Sequence, residues 1–147
     1  MVDDAFSLAR FVTAQDAGGT YERALAELRA GRKQSHWMWF VFPQVAGLGQ
    51  SPTARTYAVS GLDEGRAYLA HPVLGARLRE AALAVADAGS RDPVDVMGSS
   101  IDAMKLRSSM TLFVAAAQDE DDERLFQRVL DRYFAGEHDP RTTALLA

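Results

Sequence analysis

Ile101-Asp102-Ala103-Met104-Lys105-Leu106-Arg107-Ser108-Ser109-Met110-Thr111-Leu112-Phe113-Val114-Ala115-Ala116-Ala117-Gln118 carries Met104, Leu106, Met110, Leu112, Phe113 and Val114 around most of its circumference. A helix that is apolar nearly all round belongs in an interior, so this stretch reads as the central helix. Downstream, Leu125, Phe126, Val129, Leu130, Tyr133 and Phe134 recur at helical spacing and predict a helix from Glu123 to Ala135. Between them, Asp119-Glu120-Asp121-Asp122-Glu123 fits the solvated first turn of that helix, where carboxylates suit the dipole. A last short helix starts at Pro140.

Upstream, proline punctuates the chain. Ser51-Pro52, Asp92-Pro93 and Asp139-Pro140 each put a capping side chain before a proline, the signature of a helix start. His71-Pro72 does the same with a poorer cap, and Pro43 follows an apolar run as a stop signal. The helices expected between these marks are Phe6 to Gln15; one capped by Thr20, with Tyr21, Leu25 and Leu28, ending at Gly31; Ser51 to about Val59; Leu62 to Ala70; Pro72 to Ala88; and Asp92 to Met97. Trp37 to Phe42 fits a strand or a buried helical turn equally, and one strand makes no sheet. The expected fold is all-α: one multihelical array over residues 1–147, with that short aromatic segment of open conformation.

The 147 residues, 48% hydrophobic and 24% charged, suit one globular domain with a sizeable core. A formal charge of -4 argues against general nucleic-acid binding, although Arg29, Arg32 and Lys33 form a local basic patch. No apolar run approaches the roughly 20 residues that a membrane-spanning helix needs. The Met1-Val2-Asp3-Asp4 start lacks the basic and apolar regions of a signal peptide, so a cytoplasmic protein with no membrane partner is expected. The absence of cysteine excludes disulfides and thiolate chemistry.

No phosphate loop, dinucleotide fingerprint or Gly-x-Ser-x-Gly elbow is present. His36, His71 and His138 lack ligand spacing, so neither a metal nor a cofactor is expected. Three places can hold chemistry. Gly31-Arg32-Lys33-Gln34-Ser35-His36-Trp37-Met38-Trp39-Phe40-Val41-Phe42-Pro43-Gln44 contains both tryptophans. They would share a face if extended and diverge by roughly 200° in a helix. Each indole can fill the core, or stack on a base or sugar beside His36 as a proton-transfer group. Gln44 to Pro52, with Gly47, Gly49 and Ser51, can cradle a phosphate or merely turn the chain. Asp102, Lys105, Ser108 and Ser109 interrupt the apolar central helix. Burying an unpaired charge there costs several kcal/mol, so these groups must meet partners, solvent or ligand. Arg141 and Thr142, at the start of the final helix, can hold an anion or lie on the surface.

Arg10-Phe11…Ala14-Gln15, the Gly31 to Gln44 segment, Gly47-Leu48-Gly49-x-Ser51 and Lys105-Leu106-x-Ser108-Ser109-Met110-Thr111-Leu112-Phe113 together resemble a bacterial family of small proteins. That family is known as domain of unknown function 1810 and is sometimes mislabelled calpastatin-like. The resemblance spans nearly the whole chain and implies a multihelical array, with no established activity. A fainter likeness, in the order Asp102, Lys105, Met110 followed by an amphipathic helix, is to the C-terminal half of NADAR domains. Those domains act on N-glycosidic bonds of ribosyl compounds. The likeness transfers no catalytic residue.

The expectation is a pocket that binds or hydrolyses a phosphorylated, ribose-containing small molecule of nucleotide or ADP-ribose type. Lys33, Gln44, Gly47, Gly49, Ser51 and Ser109 would hold the ligand and Trp37 would stack its base. Asp102, positioned by Lys105, would act as base or stabilise an oxocarbenium-like centre, with His36 as proton donor. The alternatives are a non-catalytic protein-interaction module built on Trp37 to Phe42, its partner unknown, and a purely structural polar network.

Overall fold

Ser51, Asp92 and Asp139 cap helices as their place before a proline predicts: Ser51 Oγ accepts from the Ala54 N–H at 3.1 Å, Asp92 Oδ1 from Val94 at 2.9 Å, and Asp139 Oδ2 from Thr142 at 3.2 Å. The computed structural model describes residues 4–147, so Met1-Val2-Asp3 lies outside the described residues. In chain order the helices are α1 (Ala9–Asp16), α2 (Thr20–Arg29), α3 (Met38–Val41), α4 (Pro52–Thr56), α5 (Leu62–Ala70), α6 (Leu74–Ala86), α7 (Pro93–Met97), α8 (Ser100–Ala116), α9 (Glu120–Phe134) and α10 (Pro140–Leu146). Among the described residues no strand forms; a single parallel bridge joins Val45 to Val59. The fold is all-α and one domain.

The central helix is α8, which packs against α5, α7, α9 and α10. Phe113 on α8 sits between Tyr68 of α5 and Phe126 of α9, with ring centroids at 5.3 and 5.9 Å. All three are fully buried, and each such side chain contributes on the order of 1.5–3 kcal/mol through removal of apolar surface from water. Gln15, itself buried, donates to the Phe40 carbonyl at 2.7 Å and to the Tyr68 hydroxyl at 3.3 Å, tying α1 to α3 and α5. Arg79 of α6 grips Asp122 of α9 with two hydrogen bonds, at 2.7 and 2.9 Å, and donates to the Leu69 carbonyl of α5. Asp122 thereby leaves the acidic run and becomes a buried partner, while Asp119, Glu120, Asp121 and Glu123 stay exposed.

Some boundaries differ from the sequence reading. Thr20 does not cap α2. Gly19, at φ +68°, turns the chain into it, and the Thr20 hydroxyl donates to the Ala17 carbonyl at 2.6 Å. The helix expected to reach Val59 stops at Thr56, because the Val59 backbone is engaged by Gln44 and Ala46. α6 begins at Leu74 rather than Pro72; before it, His71 Nδ1 accepts from the Val73 and Leu74 N–H groups at 3.1 and 3.2 Å. The first turns of α8 are interior on one face only: Ala103 and Leu106 are buried, while Ile101 and Met104 are 66% and 63% exposed. Trp37 to Phe42 resolves as a helical turn, with Val41 N–H donating to the Trp37 carbonyl and Phe42 N–H to Met38.

Candidate functional site

Ser99 starts α8 by accepting the Asp102 N–H on its hydroxyl at 3.1 Å, which fixes Asp102 in the first turn. Helical spacing then puts Lys105 on the same face, its Nζ 3.8 Å from Asp102 Oδ1. The closer partner comes from far away in sequence: Lys33 Nζ lies 2.9 Å from Asp102 Oδ2. Lys33 is held there by its own backbone. Its N–H donates to the Val96 carbonyl at 2.8 Å, and its side chain, 7% exposed, also donates to the Ser35 carbonyl.

Gly98 makes this approach feasible. It sits at φ +83°, and a Cβ added there would lie 2.8 Å from the Lys33 carbonyl oxygen. Strained backbone and a clash with backbone combine, so Gly98→Ala is expected to destabilise the fold by about 2 kcal/mol. A urea melt measures it; a change below about 0.5 kcal/mol would show that the loop yields without cost.

The aromatic segment wraps this charge cluster. Lys33 Nζ stands 4.9 Å from the centre of the Trp37 ring, and Lys105 Nζ stands 4.7 Å from that of Trp39. Because the segment is helical, the two indoles diverge. Trp37 is fully buried against Phe42, and Trp39 stays partly exposed above Lys105.

Glu27, a residue the sequence reading passed over, organises the approach to Trp37. Its carboxylate accepts from the N–H groups of Gln34 (2.7 Å) and Ser35 (2.9 Å), from the Ser35 hydroxyl (2.6 Å) and from the Trp37 indole N–H (3.0 Å). Burial alone would raise its pKa, but these donors outweigh it and hold the carboxyl at about 2. The signal was available: a buried tryptophan needs an acceptor for its N–H.

Further along α8, the polar groups serve a different neighbour. Ser108 Oγ donates to Asp139 Oδ2 at 2.9 Å, and Thr111 Oγ1 accepts the Asp139 N–H at 2.8 Å. Arg107 donates to the carbonyls of Glu137 and His138. Burial pushes the Asp139 carboxyl up, but hydrogen bonds from Thr142 and Ser108 reverse this and leave it below the ordinary value. These contacts fasten α10 to the central helix and so place Arg141.

Between α8, the Gln44–Gly49 loop and Arg141 lies a cleft of about 260 Å³, lined by Gln44, Leu48, Gly49, Ile101, Met104, Lys105, Ser108 and Arg141. It unites the polar face of α8 with the loop that follows the tryptophan segment. Three other grooves are wider; one, of about 370 Å³, carries a single cation, Arg66, beside Asp63, and the other two share Gly31. One, of about 580 Å³ between α2 and α6, has its charges paired off: Arg29 with Glu80, Arg79 with Asp122, and Asp87 with Arg128. The other, of about 660 Å³, runs along Gly31 to Gln34, Val94, Asp95 and Gly98; its Lys33 ammonium is paired to Asp102, while Arg32 is exposed.

The cleft gathers Gln44, Gly49 and Lys105 from the sequence-predicted set, and Asp102 stands behind Lys105. The others fall elsewhere. Trp37 cannot stack a ligand, because helical winding sends it into the core. Lys33 is a buried partner of Asp102. Ser109 is fully buried with an unpartnered hydroxyl, outside the cleft lining. Ser51 caps α4 by accepting the Ala54 N–H and lies outside the cleft lining. Gly47, at φ +105°, turns the chain beside Leu145. His36 is exposed and outside that lining. Ser108 and Arg141, both singled out in the sequence, also line it, and the cleft adds Leu48, Ile101 and Met104. Thr142, by contrast, is buried with its hydroxyl on Asp139.

Among the described residues no helix is long and apolar enough to cross a membrane. No curated protein matches the chain. The structure is similar to the crystal structure of the conserved hypothetical protein Rv1873 from Mycobacterium tuberculosis, at 48% identity and a TM-score of 0.90, over 97% of this chain and 98% of that one. The profile of the family described as "Protein of unknown function (DUF1810)" matches residues 5–146. With that extent matched, the chain belongs to the DUF1810 family.

Proposed function

We propose that this protein binds a small phosphorylated, ribose-containing molecule in the cleft between α8, the Gln44–Gly49 loop and Arg141. The observation that carries the reading is the pair of cations, Lys105 and Arg141, lining one small cleft whose other walls are largely apolar. Phosphate would meet the two cations, Gln44 would bond sugar hydroxyls, and Leu48, Ile101 and Met104 would cover the apolar faces of the ring. Asp102 acts indirectly, holding Lys105 at the cleft edge. Hydrolysis of an N-glycosidic bond finds little support: the Asp102 carboxylate is shared between two lysines, and His36 lies outside the cleft lining. A cytoplasmic location is part of the proposal, since ligands of this kind are intracellular metabolites.

Titration with ribose 5-phosphate, followed by tryptophan fluorescence, tests it. Saturable quenching is expected, because Lys105 lies against Trp39. Lys105→Ala and Arg141→Ala should each raise Kd tenfold or more, as loss of a charge-assisted hydrogen bond worth ~1.5–3 kcal/mol requires. No binding at millimolar ligand would overturn the proposal.

A second reading, a non-catalytic interaction module, draws on the exposure of Ile101 and Met104. It would have to use those residues rather than the Trp37–Phe42 patch, because Trp37, Met38, Val41 and Phe42 are buried.

A further inference from the structure

We infer that the ligand offers one phosphoryl group and one ring, the size of a pentose monophosphate, and that a dinucleotide or a sugar diphosphate gains nothing beyond this. The inference rests on the cleft being a ligand site, as proposed above, and narrows what that site accepts.

Charge sets the first limit. Lys33, which lines a different groove, is paired with Asp102: the two atoms are 2.9 Å apart and the side chains are 7% and 19% exposed. Lys105 stands farther from the same carboxylate, at 3.8 Å, and lines the cleft itself, where Arg141 joins it from α10. Two cations match one phosphomonoester, which carries about -1.5 to -2 at neutral pH. Among the lining residues no third cation is left for a second phosphoryl group.

Volume sets the second limit. About 260 Å³ falls short of the ~300–1,000 Å³ of clefts that enclose drug-sized ligands. A phosphoryl group with one five-membered ring is of that scale.

The far wall sets the third. Behind Ser108 stands the Asp139 carboxylate, 2.9 Å from the Ser108 hydroxyl and already accepting from Thr142. That negative charge disfavours a second phosphoryl group placed against Ser108. Anything beyond the first ring therefore extends past the residues that line the cleft.

Isothermal titration with ribose 5-phosphate, ribose, inorganic phosphate, AMP and ADP-ribose separates the claims. Ribose 5-phosphate should bind at least tenfold tighter than either ribose or inorganic phosphate. AMP and ADP-ribose should bind no more than about threefold tighter than ribose 5-phosphate. An ADP-ribose affinity tenfold or more above that of ribose 5-phosphate would overturn the size limit while leaving the ligand site standing. Equal affinity for ribose 5-phosphate and inorganic phosphate would overturn the claim that the ring is read. Failure of all five to bind would remove the site itself, and the inference with it.

Discussion

Glu27→Ala is expected to cost about 3 kcal/mol of stability, because it leaves the indole N–H of the fully buried Trp37 without an acceptor and removes the partner of the Gln34 and Ser35 donors. The effect has a pH signature. Glu27 ionises at about 2 in the folded protein, below the ordinary 4.5 of the unfolded chain. The stabilisation is therefore complete above the unfolded value and is lost as the pH falls from there towards the folded one. Urea melts at neutral pH and at stepwise lower pH measure both. Glu27→Gln, which keeps an acceptor but no charge, should be less harmful, and its deficit against the native protein should shrink on acidification. A deficit that stays constant with pH would show that the carboxylate is not the source of the effect.

Asp102→Ala is expected to be as damaging, at about 3–4 kcal/mol, for a different reason: it strands the Lys33 ammonium in a site where that side chain is 7% exposed. Replacing both partners removes the buried charge together with its counter-charge. The double variant Lys33→Met with Asp102→Ala should therefore recover most of the loss. Chemical denaturation of the two single variants and the double completes the cycle. A double variant no more stable than Asp102→Ala would mean that Lys33 is not the group being stranded, and that Asp102 matters through Lys105 or the α8 N-terminus instead.

The helices were legible wherever a side chain and a proline jointly mark a start, as at Ser51, Asp92 and Asp139, because capping is a local event within four residues. The pairing of Asp102 with Lys105 was legible for the same reason, being one helical turn. The stronger Lys33–Asp102 pair was not. It depends on a loop approach that Gly98 and Val96 permit, across more than sixty residues of chain. The fate of the tryptophans was also non-local. The sequence contains two indoles in a segment too short to reveal its own period, and the one sent inward is the one with Glu27 waiting for its N–H. Arg141 was visible as a charged residue at a helix start, but its place at the cleft depends on Ser108, Thr111 and Arg107 gripping the segment before it. Ser109 looked like a site residue because polarity on an apolar helix demands an explanation; its hydroxyl has none in the packing around it.

The two tryptophans make the central claim directly readable in solution, since each gives one indole N–H resonance. If the cleft beside Lys105 is the ligand site, ribose 5-phosphate should shift the Trp39 indole signal in a nitrogen–proton correlation spectrum, through the Lys105 ammonium that stands over its ring. The Trp37 signal, sealed in the core and bonded to Glu27, should stay in place. Both signals unmoved at saturating ribose 5-phosphate, or Trp37 moving alone, would contradict the account.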